Sequence, residues 1–293
     1  MRLPIHRGRA ALQGRVTRAQ SSRALAPVVV FRRLATALAL LFVSALADAQ
    51  TNPQPLDKVL DRTSQRVSEF LDQFSNVKCT EQVTQEKYKP NGKVELEQQS
   101  TYDYLVILTN AGGDLNLNES RLPVKQAKVS RRQEVSMLLS NGFATLFLVF
   151  HPYYFNNFEF TDSGSEMLDG HQARKIHFQH IPNTHSVAAL ALRGREYPLE
   201  LSGTAWVDPD NGNILRIEAG IASTLEDIGM KTLQSSVRFA PVAFSKDKDQ
   251  PVYWFPSEAV VEVETPKQHW RNTHRFSTYK QFSVTTEEHV AQK

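Results

Sequence analysis

The 293-residue chain is short of the groups on which stabilisation and chemistry most often rest. It has one cysteine, Cys79, so no internal disulfide can form and stability must come from a buried core. The preceding residues, Asn76-Val77-Lys78, are not the small residues that a lipid-attachment cysteine follows. Cys79 therefore reads as a buried structural thiol, with an intermolecular or reactive role as the competing reading. There is no G-x-S-x-G elbow, no G-x-x-x-x-G-K loop and no G-x-G-x-x-G turn, so the usual signatures of an elbow-type hydrolase, a P-loop and a dinucleotide fold are all missing. No cofactor is expected. Fixed-period repeats and low-complexity linkers are also lacking.

Long apolar runs are scarce as well. The most leader-like one, Leu34 to Ala47, is shorter than the roughly 20 residues a membrane-spanning helix needs. It follows a stretch with eight arginines (Arg2, Arg7, Arg9, Arg15, Arg18, Arg23, Arg32, Arg33) and no acid, and it runs into Ala47-Asp48-Ala49. A basic region, an apolar region and an A-x-A pattern together predict an export signal over residues 1–49, cleaved after Ala49. Alternatives are a mitochondrial presequence or an uncleaved anchor. The chain carries a formal charge of +3, but residues 1–49 take eight Arg and one Asp with them, leaving 26 basic against 30 acidic groups. The remainder is mildly acidic, and its basic clusters at 130–133 and 193–196 are short, so no nucleic-acid partner is expected. A periplasmic or cell-envelope location is expected, with at most peripheral membrane contact.

Residues 50–293 read as one domain. Leu56, Val59, Leu60, Val67, Phe70, Leu71 and Phe74 recur at three- and four-residue spacing and predict an amphipathic helix between Pro55 and Ser75. Its polar face mixes acids and bases, which favours packing on a sheet over lying on a membrane. Thereafter the period is two, with turns expected at Pro90-Asn91-Gly92, Ala111 to Asp114, Asp169-Gly170 and Asp208 to Gly212, and a late strand pair near 257–283. Seven or more antiparallel strands result. Phe143 to Phe150, apolar nearly all round, reads as a helical plug that must be surrounded, ended by Pro152.

Candidate sites compete with structural roles. Asp208-Pro209-Asp210-Asn211-Gly212 fails the spacing of an EF-hand calcium loop, since Gly212 falls at position 5 and Ala219 at position 12. A tight turn explains it, with Leu215, Ile217, Ala219 and Ile221 then on one face. His171, His177 and His180 lie in a segment that alternates as a strand, which separates them and argues against a metal site. Glu262 and Glu264 alternate with Val261 and Val263 as a solvent face would.

The leading helix, the long strands, the apolar plug, "LSGTAWVDPDNGNILRIE" and the closing "YWFPSEAVVEVE…HRFSTYKQFSV" together resemble the LolA/LolB superfamily of periplasmic lipoprotein carriers. The resemblance implies a strongly curved antiparallel half-barrel with the amphipathic helix and plug on its concave face. It also implies an apolar hollow that holds acyl chains, although related domains sense or scaffold envelope partners instead. The chain departs from a typical carrier in extra loops near 183–197 and 240–251. Candidate lining residues are Leu146, Phe147, Phe150, Tyr154, Ile176, Phe178, Trp206, Val261, Val263 and Trp270. The same residues would equally suit a filled core. Three readings follow: a carrier or binder of a lipid or acylated protein, a packed scaffold or sensor with an envelope protein partner, and a hydrolase with a cleft.

Overall fold

In the computed structural model the described residues are 54–111, 114–124, 146–192, 195–245 and 252–282. The expected export signal over residues 1–49, the centre of the turn expected at Ala111 to Asp114, and Phe143 lie outside them. Helix α1 spans Leu56–Phe74, and Val59, Leu60, Thr63, Val67, Leu71 and Phe74 form its buried stripe. No side chain caps its start, although Asp57 in the first turn suits the positive end of the helix dipole. The start is held by tertiary contacts instead. Arg174 donates from Nη1 to the Gln54 carbonyl at 2.8 Å, and Arg62 donates to the Gln54 side chain at 3.1 Å.

The strands are β1 (Val77–Tyr88), β2 (Val94–Ala111), β3 (Asp114–Pro123), β4 (Phe158–Leu168), β5 (His171–His180), β6 (Ala189–Leu192), β7 (Arg195–Pro198), β8 (Leu201–Val207), β9 (Ile214–Ile221), β10 (Thr232–Val242), β11 (Tyr253–Glu264) and β12 (His269–Gln281). Ten of them form one sheet in the order β3-β2-β1-β12-β11-β10-β9-β8-β5-β4, while β6 and β7 pair as a separate hairpin within the loop anticipated near 183–197. Every pairing is antiparallel, and β3 and β4 remain as edges, so the sheet is not closed into a barrel.

Flat, ten strands would extend roughly 43 Å across at ordinary spacing. Yet one apolar cluster, built around α1, draws buried or half-buried residues from all ten strands. The sheet is strongly curved around its contents. Consecutive strands β3 and β4 lie at opposite edges, so the chain between them must cross from one side of the sheet to the other. Before β4, Leu146 to Phe150 pass through the interior, with a 3-10 turn at Phe147–Phe150, and the chain then reaches the surface at Pro152 and Tyr153 before a second turn at Phe155–Asn157.

Most turn expectations are met in the geometry. Gly92 has φ +77° and donates to the Lys89 carbonyl, and Asp169 and Gly170 both have positive φ between β4 and β5. At the Asp208 turn, Gly212 donates to the Asp208 carbonyl at 2.9 Å. The Asp208 carboxylate accepts the Asp210 amide and the Asn211 side chain. Gly212 has φ +75°, and a Cβ there would lie 2.8 Å from the Arg62 backbone, because α1 sits directly on the turn. Arg66 completes the contact by donating to Asn213 Oδ1 at 2.9 Å.

One face assignment is corrected. Leu215 does not join Ile217 and Ala219 but packs with Ala173 and Trp206 in a second cluster. The β8–β9 register slips between Trp206 and Val207, and the extra residue on β9 turns Leu215 to the other side.

Candidate functional site

The interior is assembled from aromatic rings on elements far apart in sequence. Phe70 of α1 lies 4.8 Å from Phe147 edge-on, 5.1 Å from Phe74 in a stack and 5.8 Å from Phe255. Phe150 meets Phe160 at 5.2 Å and Phe178 at 6.1 Å. Phe178 has room because the facing residue on β8 is Gly203, where a Cβ would come within 2.6 Å of the ring. Leu146 to Phe150 are all buried, as an apolar turn surrounded on every side must be. Extended backbone at His151, forced by Pro152, ends that turn.

Six of the residues picked from sequence meet here: Leu146, Phe147, Phe150, Tyr154, Ile176 and Phe178. The other four do not. Trp206 is on the outer face, its indole N–H donating to Glu166 at 2.6 Å and its ring beside Arg216 at 4.9 Å and Lys175 at 5.6 Å. Strict alternation along β8 puts Leu201, Ala205 and Val207 inward and Trp206 outward. Val261 and Val263 share the inward parity of Ala259 but fall outside the central cluster. Trp270, half-buried, pairs with Val263 and lies 5.5 Å from the Lys87 ammonium.

A void of about 30 Å³ remains between α1, Phe147, Ile214, Phe239 and Trp254. That is room for a water and far too little for an acyl chain. A larger concavity, about 520 Å³, is an open dish on the sheet surface whose lining includes Ser202, Thr204, Glu218, Gln234 and Ser236. Hydroxyls, an amide and carboxylates make it unsuited to an apolar guest.

The sequence reading missed a charged group in the interior wall. Glu81 on β1 is wholly buried and accepts two bonds from Arg121 on β3, Nε to Oε2 at 2.6 Å and Nη2 to Oε1 at 2.9 Å. His274 on β12, also buried, donates from Nδ1 to Oε1 at 2.8 Å. Arg121 further pairs with Glu119 at 3.1 Å, and its guanidinium lies 5.0 Å from the Tyr104 ring centre. Burial raises the Glu81 pKa, but the bonds from His274 and Arg121 and the Arg121 charge outweigh it and hold the carboxyl below its ordinary value. Nearby Cys79 is pushed up to about 12, chiefly by burial, so it stays a thiol and is a poor nucleophile. A signal was present: Val77, Cys79, Glu81 and Val83 share one parity, so Glu81 interrupts an otherwise inward face.

Among the described residues no three His, Cys, Asp or Glu side chains converge as metal ligands would. No helix there is long and apolar enough to cross a membrane.

No protein-family model and no curated protein matches the chain. Solved structures with a similar chain path include a LolA superfamily protein from Nitrosomonas europaea, 13% identical with a TM-score of 0.35, covering 77% of this chain and 94% of that one. A putative outer membrane lipoprotein-sorting protein domain from Vibrio parahaemolyticus is 10% identical with a TM-score of 0.40, covering 79% and 95%. A DUF1329 family protein from Desulfovibrio piger is 13% identical with a TM-score of 0.39, again covering 79% and 95%.

Proposed function

We propose that this protein is exported to the cell envelope and binds an acyl chain, of a lipid or an acylated protein, in the space now filled by Leu146–Phe150. The observation that carries this reading is the identity of the filler. Part of the half-barrel interior is filled by a segment that runs between two edge strands, Leu146–Phe150, packed against α1 and the inner face of the sheet. Such a segment can withdraw without breaking the ladder.

The energies are of matching size. Burying an acyl chain gains about 0.8 kcal/mol per methylene, or roughly 11–13 kcal/mol for a long chain. Exposing a buried large apolar side chain costs about 1.5–3 kcal/mol, so withdrawing five costs a comparable amount. Exchange of plug for ligand is therefore close to balanced, as reversible carriage requires.

The packed interior favours a second reading, a scaffold that engages a protein partner through the unpaired edge of β3 or β4.

Fatty acids brominated along the chain separate the two. Trp254 lines the void beside Phe147, so a bound chain should quench its fluorescence saturably at one ligand per protein, and Trp254→Phe should remove that signal. Phe147→Ala should then tighten binding, because a looser plug competes less well. Unquenched, well-folded wild-type protein would defeat the acyl reading and direct attention to the edges.

A further inference from the structure

The edge strand β3 is fastened twice. Its first fastening is the ordinary ladder to β2, from Ala111↔Asp114 to Tyr102↔Pro123. Its second is Arg121, which reaches across β2 to the Glu81 carboxylate on β1, where His274 from β12 also bonds. We propose that Glu81, Arg121 and His274 form a latch that keeps the aromatic interior shut by tying β3, across β2, to β1 and β12. This rests on the acyl-binding reading and names the control of that same site.

Geometry connects the latch to the plug without a gap. The Arg121 guanidinium lies 5.0 Å from the Tyr104 ring, which is 6.5 Å from Phe74 and 5.4 Å from Phe276. Phe74 stacks on Phe70 at 5.1 Å, and Phe70 meets Phe147 of the plug at 4.8 Å. Arg121 thus rests on Tyr104, the first ring in this series.

The latch is also built to be either whole or broken. A forked guanidinium–carboxylate pair loses most of its strength once one bond is lost, and in a buried setting a half-made pair strands a charge. Such a pair adds little to stability over apolar side chains of equal volume, and so is better suited to defining one closed arrangement. At the opposite edge, Arg174 ties β5 to Asp162 of β4, but that carboxylate is 39% exposed and open to competition from water. The β3 edge is therefore the one held by a shielded charge pair.

Hydrogen exchange and acyl binding, measured together on the purified protein, test the latch. Glu81→Gln keeps the shape and removes the charge, while Arg121→Lys keeps the charge and removes the fork. In both variants, amides of β3 and of Leu146–Phe150 should exchange at least roughly tenfold faster, the factor given by losing about 1.4 kcal/mol of local hold. Amides of β10 and β11 should be unchanged, and brominated fatty acid should associate faster by a similar factor. Uniform acceleration throughout the sheet, or none at β3, overturns the latch by reducing the pair to ordinary packing. Local release with no acyl quenching in any form would leave the latch standing and defeat the acyl reading. Saturable quenching with an unchanged association rate would do the reverse.

Discussion

At the scale of residues, Glu81 shows how a single carboxylate can be both costly and strongly held. Its desolvation is offset by three bonds from two side chains on β3 and β12. The groups facing it are Arg121 and Glu119 of β3, His274 and Tyr279 of β12, Tyr104 of β2 and Cys79 of its own strand. Because its folded pKa is lowered, its contribution is complete above the unfolded value, about 4.3, and is lost as pH falls through the folded value. Glu81→Gln should cost about 2–4 kcal/mol in denaturant unfolding at neutral pH, less than a fully stranded charge because Glu119 still faces Arg121. The gap between wild type and variant should close in acid, where both carry a neutral side chain. A gap that does not narrow at all as the pH is lowered would mean that the loss comes from shape or hydrogen bonding and not from charge.

At the scale of elements, α1 and the Asp208 turn act as one piece. Gly212 combines a left-handed backbone with contact against Arg62, so Gly212→Ala meets both the strain of positive φ and a collision with the helix. About 1–3 kcal/mol should be lost on thermal or denaturant unfolding, and Gly92→Ala, where φ is also positive but the surroundings are open, should cost less. Equal losses would mean that helix docking adds nothing. Much of this was legible from sequence, because α1, the turns and the late strand pair are written in local periodicity and in Asn-Gly or Asp-Gly pairs. The strand order was not legible. It depends on β1 returning to pair with β12, nearly two hundred residues away, and no local pattern encodes that. Trp206 reads from sequence as a strand residue lining the hollow, while its strand parity points outward with Lys175 and Arg216 as neighbours. Arg121 and His274 escaped notice because each is ordinary in its own strand. Only the sheet brings them to Glu81.

At the scale of the whole molecule, β1 sits between β2 and β12, third from the β3 edge of the sheet, and the first and last of the described strands meet there. Val77 pairs with Gln281, and the Phe282 amide donates to Asn76 at 3.0 Å. One apolar cluster draws on all ten strands, so neither side of this seam has a separate core of its own. Unfolding should therefore be a single transition. Far-ultraviolet dichroism and the fluorescence of Trp206 and Trp254, which share one cluster, and of Trp270 on β12 should trace superimposable denaturation curves. Separated curves would reveal two units. The same seam orders events during synthesis. A chain growing from its N-terminus can form the β1–β2–β3 meander early, but β1 must wait for its other neighbour until the last strand has been made. Until then Glu81 has no His274, and the front of the molecule is a three-stranded fragment with an open flank. The synthesis of β12 thus decides when β1 gains its second neighbour, and a chain cut short before it is left with a meander open along one flank.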